Sequence, residues 1–200
     1  MTGLHAVVLA AGAGSRFGGR KLLAPFRSGR LIDAALAAAF AAPVEAVHVV
    51  VGYDARAVSA AAVAYTADVG ETRMRIVEAP EHAEGLAGSL RAAIAALPGT
   101  ASGVLVFLGD MPGVPTEVLG PLAQALMAGA PAAVPVWDGM RGHPAALSSA
   151  LFPDLLQLTG DRGARGLLER LGAAVVEVPA PHAGVLLDID TPADLARLAD

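Results

Sequence analysis

Short apolar segments alternate with longer alanine-rich segments along the chain, and this alternation restricts the fold more than any other feature of the sequence. The runs at Ala6–Leu9, Ala46–Val51 and Val104–Leu108 have the length and apolar content of strands that are buried on both faces. Parallel strands need long crossover connections, and the segments between these runs have the length and composition of helices. We therefore predict an α/β protein, a single three-layer α/β/α domain over residues 1–200 with a mostly parallel sheet.

The same patterns place the remaining elements. Further strands are predicted at Met74–Glu78, Ala132–Trp137, Pro144–Ser148, Ala174–Val178 and Val185–Asp188. Helices are predicted at Leu31–Ala42, Ala55–Thr66, Leu86–Leu97, Pro115–Ala128, Phe152–Leu158 and Ala164–Leu171, and from Pro192 onward with Thr191 as N-cap.

Composition excludes several classes of protein. The chain has no cysteine, so disulfide frameworks, thiolate metal sites and cysteine nucleophiles are ruled out. A net charge of -5 argues against a nucleic-acid polymer as partner, because phosphate neutralisation needs a basic face. Alanine, 45 of the 200 residues, inflates the apolar fraction of 54%, and no apolar run is long enough to cross a membrane. No basic residue precedes the short apolar run near the N-terminus, so we expect a cytoplasmic protein without a membrane partner.

A glycine-rich segment, AAGAGSRFGGRK at residues 10–21, follows the first predicted strand. Ligands of open α/β sheets bind beyond the carboxyl ends of the strands, which is where this segment should lie. Backbone N–H groups of such a loop can close around phosphate oxygens, and Arg16 and Lys21 add positive charge. The segment favours a polyphosphate site; the alternative is a flexible turn without a ligand.

Two better-known phosphate motifs nearly match this segment and fail. A Gly-x-Gly-x-x-Gly dinucleotide motif would need glycine at position 17, where the chain has Phe17, and its ribose-binding carboxylate should end the second strand. Asp33 instead lies in a helical pattern. A P-loop would need Ser or Thr after the lysine, but Leu22 follows Lys21.

Lys21 is the only lysine among 14 basic residues. Frequent alanine and arginine, with no asparagine, indicate a compositional bias that by itself makes lysine rare. Its place in the glycine-rich segment nevertheless favours a phosphate contact, because an ammonium group is a compact point charge that fits where a planar guanidinium does not.

Acidic residues follow two other predicted strands. Asp110, in Gly-Asp-Met-Pro after the fourth strand, could hold Mg²⁺ against substrate phosphates, or it could cap the next helix. Asp188 and Asp190 alternate along a predicted strand and could point the same way, so with Asp110 they could form an oxygen-ligand site. Asp110 and Asp190 are the first candidates and Asp188 the second; a turn or cap role is the alternative.

Three further segments are weaker signals. Gly85 and Ser89 open a helix with small residues suited to a flat base, although the segment read alone favours a plain helix start. His143 lies in a predicted turn, where a lone histidine is usually only exposed. The stretch from Asp161 to Arg165 leads into a helix N-terminus, which is either a second anion site or an ordinary cap. The chain contains neither HExxH nor Gly-x-Ser-x-Gly, which disfavours zinc and serine hydrolases.

Taken in order along the chain, these segments resemble the MobA-like nucleotidyltransferase family, most closely its molybdenum cofactor cytidylyltransferases. The resemblance implies a Rossmann-like nucleotidyltransferase fold and Mg²⁺-dependent transfer of CMP from CTP to the terminal phosphate of molybdopterin, with release of pyrophosphate. It implies catalytic roles for Lys21, Arg16 and Asp110. The nucleotide site would comprise Leu9, Ala10, Ala11, Gly12, Ala13, Gly14, Arg16, Lys21, Gly85, Ser89 and Asp110. Metal would be held by Asp110 and Asp190, and the second substrate by His143, Asp161 and Arg165.

Details of the motifs bear on specificity. The guanylyl branch of the family typically begins Leu-Ala-Gly-Gly, whereas Ala11 fits the cytidylyl branch. Relatives often carry an asparagine shortly before the Glu-Gly pair at 84–85, and here residues 78–82 are EAPEH, so base recognition departs from the pattern. The alternatives are a guanylyltransferase or a transferase with another acceptor, an NAD(P)H-dependent oxidoreductase on the same fold, and a non-catalytic cofactor delivery protein. A molybdenum hydroxylase is a candidate client.

Overall fold

An eight-stranded sheet runs through the middle of the protein in the computed structural model, which describes residues 3–199. The strands are β1 (Leu4–Ala10), β2 (Pro25–Phe26), β3 (Gly29–Arg30), β4 (Val47–Val51), β5 (Met74–Glu78), β6 (Gly103–Leu108), β7 (Ala132–Trp137), β8 (Met140–Arg141), β9 (Ala145–Ser148) and β10 (Val175–Pro179). The helices are α1 (Leu31–Ala41), α2 (Ala55–Asp68), α3 (Leu86–Ala95), α4 (Leu119–Met127), α5 (Phe152–Leu155), α6 (Arg165–Leu171) and α7 (Pro192–Ala199).

The strand order is β10-β7-β9-β6-β1-β4-β5, with β8 paired to β7. β1 lies in the interior of the sheet and pairs in parallel with both β4 and β6. β9 is inserted antiparallel between β6 and β7, and β8 also runs against its neighbour. β2 and β3 form a separate hairpin. The prediction of a mostly parallel sheet is confirmed, with the antiparallel strands confined to one half.

Helices cover both faces of the sheet. Alternate side chains of β1 point to opposite faces, so Val8 packs in one core cluster and Val7 in another. The first cluster is covered by α1, α2 and α4, and the second by α3, α5 and α6. This arrangement confirms the predicted three-layer α/β/α architecture. Among residues 3–199, no helix is both long and apolar enough to span a bilayer.

One predicted strand is wrong, and it affects the candidate site. Residues 185–188 do not form a strand: a 3₁₀ turn at Ala183–Val185 is closed by a hydrogen bond from Leu186 N to the Ala183 carbonyl, and residues 187–190 are irregular. The buried apolar side chains of residues 185–189 lie in separate clusters and not along one face of a strand. Val185 joins the first core cluster, and Ile189 packs with Phe26 and Leu31 in a small third cluster.

The observed bounds of other elements differ from the predicted ones by a few residues. The helix predicted over residues 152–158 is the single turn α5, and α4 begins at Leu119 after a 3₁₀ turn at Thr116–Val118. The hairpin of β2 and β3 was not predicted. The last helix begins as predicted, since Asp194 N donates to Thr191 Oγ1 (3.3 Å) and Asp194 Oδ2 accepts from Thr191 N (2.8 Å).

Two histidines form a buried pair in the sheet. His5 on β1 and His48 on β4 are each only 5% exposed, and Nε2 of His48 lies 3.2 Å from Nδ1 of His5. Burial lowers the pKa of His5. Burial lowers the pKa of His48 to about 4, aided by repulsion from His5 when that ring is protonated and from Arg75. The pair is therefore neutral at physiological pH.

Acidification from pH 7 to pH 5 should destabilise the protein through His48. The His48 imidazole takes up a proton near pH 6.5 in the unfolded chain but only near pH 4 in the folded protein. The stability of the folded state is therefore unaffected by this group above pH 6.5 and decreases as the pH falls from 6.5 toward 4. Linkage gives a loss of about 1–2 kcal/mol over this range. Urea unfolding of the wild type and His48→Gln at both pH values measures it. An equal pH dependence of the two proteins would rule out His48 as the cause.

Candidate functional site

The glycine-rich segment forms a tight loop at the carboxyl end of β1. Gly14 has a left-handed backbone (φ +59°), and its carbonyl oxygen accepts hydrogen bonds from the N–H groups of Phe17 (3.0 Å) and Gly19 (3.2 Å). These bonds fold the segment back on itself, so that Lys21 stands beside Gly14: a Cβ added to the glycine would lie 3.0 Å from Cβ of the lysine. The compact turn brings the loop backbone and the ammonium group to the same place.

The loop lines one wall of a cleft of about 620 Å³. Of the residues assigned to a nucleotide by resemblance, all except Arg16 line this cleft: Leu9, Ala10, Ala11, Gly12, Ala13, Gly14, Lys21, Gly85, Ser89 and Asp110. The cleft is completed by residues that were not predicted: Ser15, Leu22, Tyr53, His82, Ala83, Leu86 and Leu108. Tyr53 follows β4, so its place at a strand end could have identified it; His82 lies in a 3₁₀ turn with no such signal.

A cluster of opposite charges lies at the end of this cleft. Lys21 Nζ lies 2.7 Å from Asp110 Oδ2 and 3.5 Å from Asp190 Oδ1. Arg16 lies beside the cleft and contacts the other oxygen of Asp190 at 2.7 Å. The Lys21 side chain is 11% exposed, whereas that of Arg16 is 77% exposed. The four predicted residues therefore come together from three separate parts of the chain.

Asp110 and Asp190 are the carboxylates that could hold a divalent cation. One oxygen of each carboxylate lies near the Lys21 ammonium, so the two side chains can contact a single positive charge. Within residues 3–199, no group of three or more His, Asp and Glu side chains is arranged to hold a metal, so the three-carboxylate site that included Asp188 is not formed. The pair suits Mg²⁺ bound partly by substrate phosphates, since Mg²⁺ commonly takes only one or two protein carboxylates.

Backbone contacts, and not a strand, place Asp190. Ile189 N donates a hydrogen bond to the Asp110 carbonyl at 3.0 Å, and the Ile189 side chain is fully buried. Immediately after Asp190, the Thr191–Asp194 cap begins α7. Asp190 is thus fixed between a buried anchor and a helix start, facing Asp110.

Gly85 and Asp161 pack against each other at the cleft. Gly85 has φ +92°, and a Cβ added to it would overlap the Asp161 carboxylate, so both the backbone conformation and the packing require glycine. Ala87 N donates to the Gly160 carbonyl at 3.0 Å and holds the two segments together. The resemblance assigns Asp161 to the second substrate. In the structure, this residue lines the nucleotide cleft and not the neighbouring cavity.

A second cavity of about 680 Å³ adjoins the cleft and shares three leucines with it: Leu9, Leu86 and Leu108. His143 and Arg165, both assigned by resemblance to the second substrate, line it. Apolar side chains form much of the remaining wall: Leu90, Val106, Val134, Met140, Ala145, Ala164, Leu168 and Leu186. Arg162 and Arg165 are paired with Glu169 at 3.0 Å on the rim. The cavity combines an apolar surface with a cationic edge.

His143 lies in the wall of this second cavity. Burial lowers its pKa, against the opposing effects of a hydrogen bond to the Val106 carbonyl and the charges of Asp110 and Asp188. Its Nδ1 is buried and has no hydrogen-bond partner among residues 3–199. Within the described part of the chain, the imidazole therefore leaves one ring nitrogen buried and unpaired behind a largely apolar wall.

Comparison with known proteins identifies relatives along nearly the full chain. The profile of the MobA-like NTP transferase domain matches residues 6–175. The molybdenum cofactor cytidylyltransferase of Escherichia coli K12 is 25% identical over 194 residues, covering 97% of this chain and 94% of the relative. Nicotine blue oxidoreductase of Paenarthrobacter nicotinovorans is 32% identical over 200 residues, covering 96% of this chain and 94% of the relative.

Solved structures share the fold. Rv0371c of Mycobacterium tuberculosis H37Rv has a TM-score of 0.83 at 32% identity, covering 98% of this chain and 96% of that one. A manganese complex of the same protein has a TM-score of 0.79 at 30% identity, covering 98% of this chain and 97% of that one. The Rossmann-like nucleotidyltransferase fold expected from the motifs is therefore confirmed.

Gly85→Ala should destabilise the protein by about 1–3 kcal/mol. Alanine would be strained at the positive φ of this position, and its Cβ would displace the Asp161 side chain. Urea unfolding measures the loss. Gly120→Ala in α4 is the matched control, since a Cβ there meets no heavy atom within 4 Å and alanine favours a helix. If both variants retain wild-type stability, the packing of Gly85 on Asp161 is not as described.

Proposed function

The chain belongs to the MobA-like NTP transferase family, and we propose that it transfers CMP from CTP to the terminal phosphate of molybdopterin and releases pyrophosphate. The observation that carries the proposal is the convergence of Lys21, Asp110 and Asp190 beside a glycine-rich loop at the end of a parallel sheet. A loop backbone, an ammonium and two carboxylates provide what a nucleoside triphosphate with its metal needs.

Catalysis would depend on positioning and charge neutralisation. The loop from Ala10 to Gly14 would hold the phosphates, and Lys21 and Arg16 would stabilise the negative charge on the transferred group. The acceptor phosphate is already anionic at neutral pH, so no strong general base is needed. Its oxygen would attack the α-phosphorus in line, and the bond from that phosphorus to pyrophosphate would break.

Asp110 and Asp190 would hold the metal. We propose Mg²⁺, which when bound would neutralise charge on the reacting phosphates. The manganese complex of the Mycobacterium tuberculosis relative supports divalent metal binding on this fold and makes Mn²⁺ the ion to compare.

The second cavity is the proposed acceptor site. It shares a wall with the nucleotide cleft, so an acceptor phosphate can reach the α-phosphorus, and its apolar surface suits a flat heterocycle. Arg162 and Arg165 on its rim are paired with Glu169 and would exchange that carboxylate for an anionic group of the acceptor. The Escherichia coli relative is a molybdenum cofactor cytidylyltransferase, which supports molybdopterin as that acceptor. We place the reaction in the cytoplasm, with a molybdenum hydroxylase as candidate client.

An NAD(P)H-dependent oxidoreductase is the second candidate, favoured by the 32% identity to nicotine blue oxidoreductase. The two functions differ in their cosubstrate. A pyrophosphate-release assay over the four NTPs, with and without molybdopterin and with Mg²⁺ or Mn²⁺, should give activity with CTP and molybdopterin only. NADH titration, followed by thermal shift, is the parallel measurement. Stabilisation by NADH without pyrophosphate release from any NTP would favour the oxidoreductase.

Lys21→Ala and Asp110→Ala should each lower the turnover number by about two or more orders of magnitude, since charge stabilisation of the transition state is lost. Circular dichroism should show an unchanged fold. Asp68→Ala, which removes an exposed carboxylate at the end of α2, is the control and should keep wild-type turnover. Near-normal activity of either site variant would refute the assigned roles.

Arg162→Ala and Arg165→Ala should each raise KM for the acceptor about 10- to 100-fold and leave KM for CTP unchanged, because a hydrogen bond to a charged group is worth about 1.5–3 kcal/mol. Steady-state kinetics with each substrate varied in turn measures this. Arg197→Ala on α7 is the control for loss of an exposed arginine. An effect on CTP with no effect on the acceptor would move these residues to the other site.

A further inference from the structure

The ammonium group of Lys21 occupies the point where two carboxylates from separate segments meet. Its Nζ lies 2.7 Å from Asp110 Oδ2 and 3.5 Å from Asp190 Oδ1. The lysine side chain is 11% exposed, so this is a largely enclosed contact and not a solvated surface pair. A positive charge therefore already sits between the two side chains that the proposed function assigns to a divalent cation.

Arg16 adds to this neutralisation. Its guanidinium contacts Asp190 Oδ2 at 2.7 Å, so both oxygens of Asp190 and one of Asp110 face a cationic nitrogen. Mg²⁺ would need the same oxygens at about 2.0–2.1 Å and would be repelled by an ammonium at hydrogen-bond distance from them. The ammonium and the metal cannot occupy this position together.

A triphosphate would give Lys21 another anionic partner. The lysine borders the nucleotide cleft and also the small pocket formed by Gly14, Ser15, Arg16 and Asp190. A lysine side chain is a flexible four-carbon stem, and its donors can exchange a carboxylate for a phosphate oxygen. Movement of the ammonium toward the loop would leave Asp110 free.

We propose that Lys21 keeps the divalent-cation position closed until a nucleoside triphosphate binds. This inference rests on the proposed function. Without nucleotide, the ammonium neutralises Asp110 and Asp190; with nucleotide, it pairs with the phosphates and the carboxylates take the metal. Because coupling between two ligands is reciprocal, nucleotide and metal each strengthen the binding of the other.

The test is Mn²⁺ binding to nucleotide-free protein, followed by the electron paramagnetic resonance signal of free Mn²⁺. Lys21→Met removes the charge and keeps the length of the side chain, and it should bind Mn²⁺ at least about tenfold more tightly than the wild type, within the usual range of coupling between sites. Lys21→Gln is the second neutral variant, in case the first does not fold. Thermal melting establishes that each variant is folded.

Matched variants separate the charge of Lys21 from other effects. Lys21→Arg retains the charge and should bind Mn²⁺ as weakly as the wild type. Asp110→Asn in the Lys21→Met background should abolish the gain, because it removes the carboxylate that the change exposes. Arg16→Gln should give a smaller gain than Lys21→Met, since it frees one oxygen of Asp190 only.

Two results would overturn the inference. One is Mn²⁺ binding by folded Lys21→Met or Lys21→Gln that is no tighter than that of the wild type. The other is wild-type protein that binds Mn²⁺ equally well with and without CTP. Neither depends on turnover, so wild-type pyrophosphate release would still support the proposed function, and its absence with every NTP would count against that function alone.

Discussion

Parallel pairing of β1 with β6 is the constraint on which the rest of the site depends. The register places Leu9 beside Leu108, so the loop after β1 and the loop after β6 leave the sheet at the same edge. Gly109 N donates to the Leu9 carbonyl at 2.9 Å and extends the pairing one residue beyond the strand. Asp110 must then stand next to the glycine-rich loop, whatever its side chain contacts.

Ion pairs connect the loops that the sheet places side by side. Lys21 lies among carboxylates from two other segments, and in a chain of net charge -5 it is the only lysine available for this place. The enclosed ammonium avoids an uncompensated carboxylate pair beside the core. The same contact makes the site responsive to an anionic ligand, because a bound phosphate would compete with Asp110 and Asp190 for the Lys21 ammonium.

The two cavities give the molecule an arrangement suited to transfer between two substrates. They meet at leucines from β1, α3 and β6, so the floor common to both is the sheet edge itself. Gly85 and Asp161 close the nucleotide side, and their contact links the start of α3 to the segment before α6. That link was not foreseeable, because it joins two loops whose sequences only indicate helix starts.

The sequence by itself determined the layered α/β fold and the loop at the end of β1, since both follow from local apolar periodicity and from glycine. It also identified Lys21 and Asp110 as candidates from their places in the loops after β1 and β6, and Asp190 from its alternation with Asp188 along a predicted strand that does not form. Only the tertiary structure decided that Asp190, and not Asp188, contacts Lys21. Residues 185–188 were predicted as a strand from their apolar run, but burial of Ile189 and its hydrogen bond to the Asp110 carbonyl fix an irregular path. Such long-range contacts leave no trace in local periodicity.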